Sequence, residues 1–216
     1  MRRWQSRLRR KDRRPWRIPR LLASVVAGLA TLVAGSDVVP AATSSTCRDV
    51  AALVEQREGL PAGLLHAIAL TESGRWDPSR KISYAWPWTV RAKADAFVGA
   101  TAEQALRVVR RLQAEGRENI DVGCMQVNLM YHGHEFDSLE AAIDPLTNIS
   151  YAAAFLKRLH RQTRSWPAAV QRYHSSDPDR GRAYRGRVDR NWRLARDQAR
   201  RQQRPEATRA DAAPAT

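Results

Sequence analysis

The sequence predicts an α+β domain that is predominantly α, with one small β-hairpin. Two observations carry this. Helix start signals recur along residues 43–198, each followed by apolar residues spaced three or four apart. One stretch, 75–100, breaks the helical period and instead gathers Trp76, Tyr84, Trp86 and Trp88 with Pro78 and Pro87. The 43% hydrophobic content suffices for a core, and 216 residues allow one domain of ordinary size with tails.

The elements follow in order. Thr46 with Asp49 marks a helix start, and helix 48–58 runs to the break at Gly59-Leu60-Pro61. Pro61 suits a first helical turn, so the next helix spans 61–73, and Gly74 ends it in the left-handed position after the last turn. Tyr84 to Val90 reads as an extended piece, and its proline places it at an edge. Thr101 with Gln104 forms a capping box for helix 101–115, whose apolar face is Ala102, Leu106, Val109 and Leu112. Residues 118–135 mix loop and a short helix, and Asp137 with Glu140 caps another. Asp144-Pro145 opens helix 145–162, with Ile149, Ala152, Leu156 and Leu159 on one face. Trp166 to His174 is a further helix. Tyr184, Val188, Trp192 and Ala195 mark an amphipathic helix over 179–198 that packs on the domain, and residues 199–216 read as a disordered tail.

The chain has 37 Lys+Arg against 22 Asp+Glu, a net charge of +15 and a pI near 11.1. Taken whole, this suggests a nucleic-acid or membrane partner. Its distribution says otherwise. Residues 1–20 carry +9, residues 175–216 carry +5, and residues 21–174 carry only +1. The part that can build a core is nearly neutral, so no nucleic-acid partner is expected. At the N-terminus a positive region precedes fifteen uncharged, mostly apolar residues (21–35) and then small residues, with Val39 and Ala41 at plausible −3 and −1 positions. This order is an export signal over residues 1–42, cleaved or kept as an anchor. The run is short of the roughly 20 residues a membrane span needs. The rest of the chain is expected in the periplasm, with membrane contact only through an uncleaved N-terminus.

Glu72 is the most informative single residue. It lies at i+7 from Leu65 and i+4 from Ile68, on the apolar face of its helix. It also sits in the last turn, where the helix dipole disfavours negative charge. Apolar surroundings and the dipole both raise a carboxyl pKa, as a general acid requires. A helix-end glutamate at the solvent boundary has the same spacing, and both readings stand at this point.

Four separated segments then resemble the soluble lytic transglycosylase (SLT) catalytic domain, a member of the lysozyme-like superfamily. GLPAGLLHAIALTESG (59–74) is similar to its catalytic helix, which ends in Glu-Ser. DVGCMQVNL (121–129) is similar to its Gly-Leu-Met-Gln-Val/Ile-Asn segment, with Cys124 where Leu is commoner. DPLTNISYAAAFLKRL (144–159) resembles its Asn-Ile helix. AAVQRYHS (168–175) resembles its Ala-Tyr-Asn segment, with Tyr173 kept and His174 in place of Asn. The resemblance implies a lysozyme-like fold over 43–178 and a peptidoglycan lytic transglycosylase, which cleaves the β-1,4 bond between N-acetylmuramic acid and N-acetylglucosamine and leaves a 1,6-anhydromuramoyl end. It implies Glu72 as acid and then base, and Ser73, Met125, Gln126, Asn128 and Tyr173 along the sugar cleft. It implies no cofactor and no metal. The implied partners are glycan strands of peptidoglycan and, for small exported members of the family, a secretion, conjugation or flagellar assembly.

The resemblance leaves rival readings open. Glycosidases that use water need two carboxylates. Asp121 is the acid inside the matched segments near Gln126, so a muramidase with Asp121 facing Glu72 is the close alternative. A non-catalytic peptidoglycan-binding scaffold is another. Cys47 and Cys124 both follow the export signal, and an oxidising compartment favours a bridge worth roughly 2–4 kcal/mol. His132-Gly-His134 lacks a third ligand at metal-site spacing and reads as a solvated loop. Trp86 and Trp88 suit either sugar stacking or the core of the hairpin.

Overall fold

A computed structural model describes residues 47–210, with side chains through residue 197. The export segment expected over 1–42, and Thr46, lie outside the described residues. The described chain is mainly helical with two small antiparallel sheets, an α+β fold as expected.

Helices α1 (Cys47–Glu58) and α2 (Leu64–Ser73) come first along the described chain. Helix α2 starts three residues later than Pro61 predicts. Gly63 takes a left-handed φ of 77°, and the helix begins beyond it. The cap comes from α1. The Glu55 carboxylate accepts N–H groups of Gly63, Leu65 and His66 at 2.6, 2.6 and 3.2 Å. These are orphan donors that a helix start must satisfy.

Gly74 does not take the expected left-handed conformation. Its φ of −64° and ψ of 138° are extended, and it opens strand β1 (Gly74–Asp77). Glycine is still required there, because a Cβ would stand 2.1 Å from the Leu70 carbonyl oxygen. β1 pairs with β2 (Ile82–Ala85). The extended piece expected from Tyr84 to Val90 is divided. Tyr84 and Ala85 end β2, the chain turns at Trp86–Trp88, and β3 (Thr89–Ala92) enters a second sheet. That sheet adds β4 (Asp95–Val98), β5 (Asp121–Val122) and β6 (Val127–Asn128) in the order β4-β3-β5-β6. The two-residue strands β5 and β6 are too short to leave an alternating pattern in the sequence.

Helix α3 (Ala102–Ala114) is capped by Thr101, whose hydroxyl accepts the Gln104 N–H at 3.4 Å. Gln104 reaches back to the Ala100 N–H at 2.8 Å, one residue before the capping-box position. Short helix α4 (Leu129–His132) follows β6, and α5 (Leu139–Ile143) is capped by Ser138 rather than Asp137. Asp144 accepts the Thr147 N–H at 2.8 Å and, with Pro145, opens α6 (Pro145–Thr163). Helix α7 (Trp166–His174) follows. The last helix, α8 (Pro178–Ala210), continues past residue 198.

Two apolar cores result. The larger packs α1 and α2 with α6, α7 and α8 around Leu64, Leu65, Ile68, Ile149, Leu156 and Tyr184. The smaller joins α3 and α5 to the second sheet through Val90, Leu106, Val109, Ile120, Val122 and Ile143. Helix α8 clasps α2 along its length. Trp192 Nε1 donates to the Ala62 carbonyl at 2.7 Å, and Asn191 Nδ2 donates to Thr71 Oγ1 at 2.9 Å.

Candidate active site

Helix α2 delivers Glu72 to the place where α8, β3 and β5 converge. The residue is partly exposed. Tyr184 Oη, from α8, donates to Glu72 Oε1 at 2.7 Å. Burial pushes the Glu72 carboxyl up to about 7. The Tyr184 hydroxyl and the guanidinium groups of Arg91 and Arg187 oppose that rise, and the Asp121 carboxylate adds to it. A carboxyl poised near 7 holds a proton at neutral pH and gives it up readily.

The loop between β5 and β6 carries the next expected residues. Gly123 takes φ 82°, and a Cβ there would lie 2.5 Å from Asn148 Nδ2. Asn148 is fully buried. Its Oδ1 accepts the Met125 N–H at 2.9 Å, and its Nδ2 donates to the carbonyls of Val122 and Ala142 at 3.1 and 2.8 Å. Tyr173 Oη donates to the Met125 carbonyl at 3.0 Å, and Ser73 Oγ donates to the Cys124 carbonyl at 2.8 Å. Cys124 is bonded to Cys47, with 5.9 Å between their Cα atoms. The loop is thus clamped from α1, α2, α6 and α7.

Gln126 emerges from this clamp with a left-handed φ of 45°, strained for a side chain other than glycine's. Its Nε2 donates to the carbonyls of Thr89 and Gly123, both at 3.0 Å. Its Oε1 is buried with no hydrogen-bond partner.

The other expected cleft residues take different parts. Met125 does not face a cleft. Its side chain is wholly buried in the larger core, because Asn148 and Tyr173 fix its backbone there. Ser73 is also buried, with its hydroxyl shared between the carbonyls of Ala69 and Cys124. Asn128 caps α4 through the Tyr131 N–H and donates its amide to Asn119 and, at 2.7 Å, to Asp121. Tyr173 is partly exposed and packs against the larger core. Asp121 is partly buried, and burial raises its carboxyl. It pairs in register with Arg91 of β3.

Away from Glu72, Trp86 donates its indole N–H to the Gly99 carbonyl at 2.7 Å, and Trp88 packs on the smaller core. Both therefore serve the hairpin region. Trp76 is the exposed tryptophan of this stretch. His132 is not solvated. It sits against Tyr151 and Phe155 with Nδ1 2.8 Å from Tyr151 Oη, and burial pulls its imidazole down to about 4.

Three positions that shape this region are not predicted from the sequence. Glu55 looks like any charged residue on a helix. Asn148 stands inside a recognised segment with nothing to mark its clamp role. Tyr184 carried a signal, its apolar spacing in the last helix, but that spacing predicts packing and not a bond to Glu72.

The sequence model of the transglycosylase SLT domain matches residues 49–192. The chain belongs to the transglycosylase SLT domain family. No curated protein and no solved structure matches it. The SLT match spans all four recognised segments and reaches α8, so it includes Glu72, the β5–β6 loop and Tyr184. The SLT fold is lysozyme-like, and the family's substrate is peptidoglycan.

Proposed function

We propose that this SLT protein is an exported lytic transglycosylase that cleaves the MurNAc–GlcNAc β-1,4 bond of peptidoglycan. Glu72 is the single acid and base. Its carboxyl protonates the glycosidic oxygen as the muramoyl C1–O bond breaks. The muramoyl O6 then bonds to C1, and its proton passes to the Glu72 carboxylate. The ring closes, no water is consumed and Glu72 regains its starting state.

The observation that carries this reading is the Glu72 carboxyl itself, raised to about 7 by burial and held by the Tyr184 hydroxyl. Gln126 supports it. A buried acceptor without a partner costs about 1–3 kcal/mol, and a sugar hydroxyl or acetamido N–H would satisfy Oε1. Ser73, Asn128 and Tyr173 act behind Gln126 by holding its loop and the neighbouring turn. Residues 1–42 direct the chain to the periplasm.

One observation favours a second reading. Asp121 lies near enough to raise Glu72 and is itself raised by burial. A second carboxylate that holds a water would make the protein a hydrolase of the lysozyme type. Product masses separate the two. The mature protein is incubated with purified peptidoglycan, and muropeptides are weighed. Anhydromuramoyl ends, one water lighter than hydrolysed ends, are the expected result. Hydrolysed ends alone would sink the transglycosylase reading. Glu72→Gln should lower cleavage about 10³-fold, within the usual range for losing a general acid. Binding of peptidoglycan without any cleavage by the wild type would leave a scaffold.

A further inference from the structure

We propose that His174 is a positioning residue for this reaction: its imidazole lies flat on the ring of Tyr184 and keeps water from the Tyr184–Glu72 hydrogen bond. The inference rests on the reading of Glu72 as the acid and adds a role for a residue at which this chain departs from the Asn of the SLT pattern.

The two rings are stacked, with centroids 4.5 Å apart and planes within 4°. Tyr184 is 1% exposed, whereas His174 is exposed. His174 therefore forms the solvent side of this stack. The approach of the two helices depends on Gly181, where a Cβ would come within 3.0 Å of the Gln171 carbonyl oxygen of α7. This close crossing brings the last residue of α7 over the second turn of α8. The remaining neighbours do not duplicate the cover. Tyr173 stands at 6.4 Å and 22° from the Tyr184 ring, and the Arg187 guanidinium lies 5.4 Å from its centroid.

The chemistry suits a neutral ring. Partial burial, with Arg187 and Arg180 nearby, holds the His174 imidazole below its ordinary range. It thus stacks as a flat, uncharged surface at neutral pH. An Asn amide in its place would cover less of the tyrosine. Water reaching Tyr184 Oη would compete for its proton and stabilise the Glu72 anion. The first loosens the bond that orients the Glu72 carboxyl, and the second leaves less carboxylic acid for the glycosidic oxygen.

The test uses the mature protein and soluble glycan strands of defined length. His174→Ala should lower kcat about tenfold with KM little changed. His174→Phe, which keeps a flat ring, should restore kcat to within about twofold. Combining His174→Ala with Tyr184→Phe should be no worse than Tyr184→Phe alone, because the two residues act through one bond. Wild-type kcat in His174→Ala, a change in KM alone, no rescue by Phe, or additive losses would each overturn the inference. Glu72→Gln is measured in the same series. Full activity there removes the reading of Glu72 itself. An inactive Glu72→Gln beside a fully active His174→Ala removes only the role given to His174.

Discussion

Helix α2 meets a carboxyl group at each end, Glu55 of α1 at one and its own Glu72 at the other, and the surroundings make opposite use of them. At the N-terminal end Glu55 accepts three backbone N–H groups, where the helix dipole also welcomes an anion. At the C-terminal end Glu72 is met by one tyrosine hydroxyl, and the dipole and Asp121 both work against its charge. Burial raises both groups. Three backbone donors oppose the rise at the first end, and at the second, with one hydroxyl donor, the carboxyl reaches about 7. The difference teaches that the count and kind of donors, more than depth, set how far a buried carboxyl is raised. The contrast is also one of fixity. Helix α1 secures both ends, through Glu55 at one and through the Cys47–Cys124 bond to the Gln126 loop at the other.

The strongest way to disturb that arrangement is to remove the bond. It closes a separation of 77 residues, for which lost denatured-state entropy corresponds to about 4 kcal/mol. Replacing both cysteines with serine should lower urea-denaturation stability by about that amount. A loss under about 1 kcal/mol would mean that the other clamps on the loop suffice without it.

Next comes the N-terminal anchor. Glu55→Ala leaves the Gly63, Leu65 and His66 N–H groups without their acceptor in a largely buried place. The expected loss is about 3 kcal/mol, read by the same denaturation. Glu55→Gln keeps one carbonyl oxygen as acceptor and should lose less. Equal losses in the two variants would show that charge, not the number of acceptors, holds the end of α2.

These two sites also show what the sequence could and could not reveal. Helices α3, α6 and α7 were legible because caps such as Thr101, Asp144 and Pro145 and an apolar spacing act locally. Glu72 was legible because its place on the apolar face of the last turn is also local. Glu55 and Tyr184 were not. Each meets α2 across a distance in the chain, eight residues or more for Glu55 and 112 for Tyr184. Asn148 and Gly74 show a third case. Their identities are set by close approach to Met125 and Leu70, and the sequence states no distances.

The effect expected at the C-terminal end depends on pH. The Glu72 carboxyl is held near 7 in the folded protein and at 4.5 when unfolded. Between these values the unfolded chain releases the proton while the folded chain keeps it, so stability falls as pH rises. Below about 4.5 the group costs nothing, and above about 7 the full cost is present. Glu72→Gln should therefore be more stable than the wild type by up to about 3 kcal/mol at pH 8 and no more stable at pH 4. Thermal melts at the two pH values read this. A gain equal at both would assign it to packing. The same substitution at Glu55 should give no such gain, because it takes an acceptor oxygen from backbone N–H donors.

The finest test takes apart the surroundings of Glu72 one neighbour at a time. As a general acid Glu72 must be protonated, so kcat/KM should fall on the alkaline side as pH passes its pKa near 7. The Tyr184 hydroxyl stabilises the anion, and the Asp121 carboxylate destabilises it. Tyr184→Phe should accordingly move the alkaline limb to higher pH, and Asp121→Asn should move it to lower pH. The two shifts have opposite signs, which a general loss of structure cannot imitate. Product masses from Asp121→Asn add a second reading. If Asp121 acts only through the charge felt by Glu72, the anhydromuramoyl ends persist and only the limb moves. If Asp121 holds a nucleophilic water, hydrolysed ends formed by the wild type should vanish in the variant. A limb that stays fixed in both variants would mean that the alkaline fall belongs to another group, and Glu72 would lose its claim to be the acid.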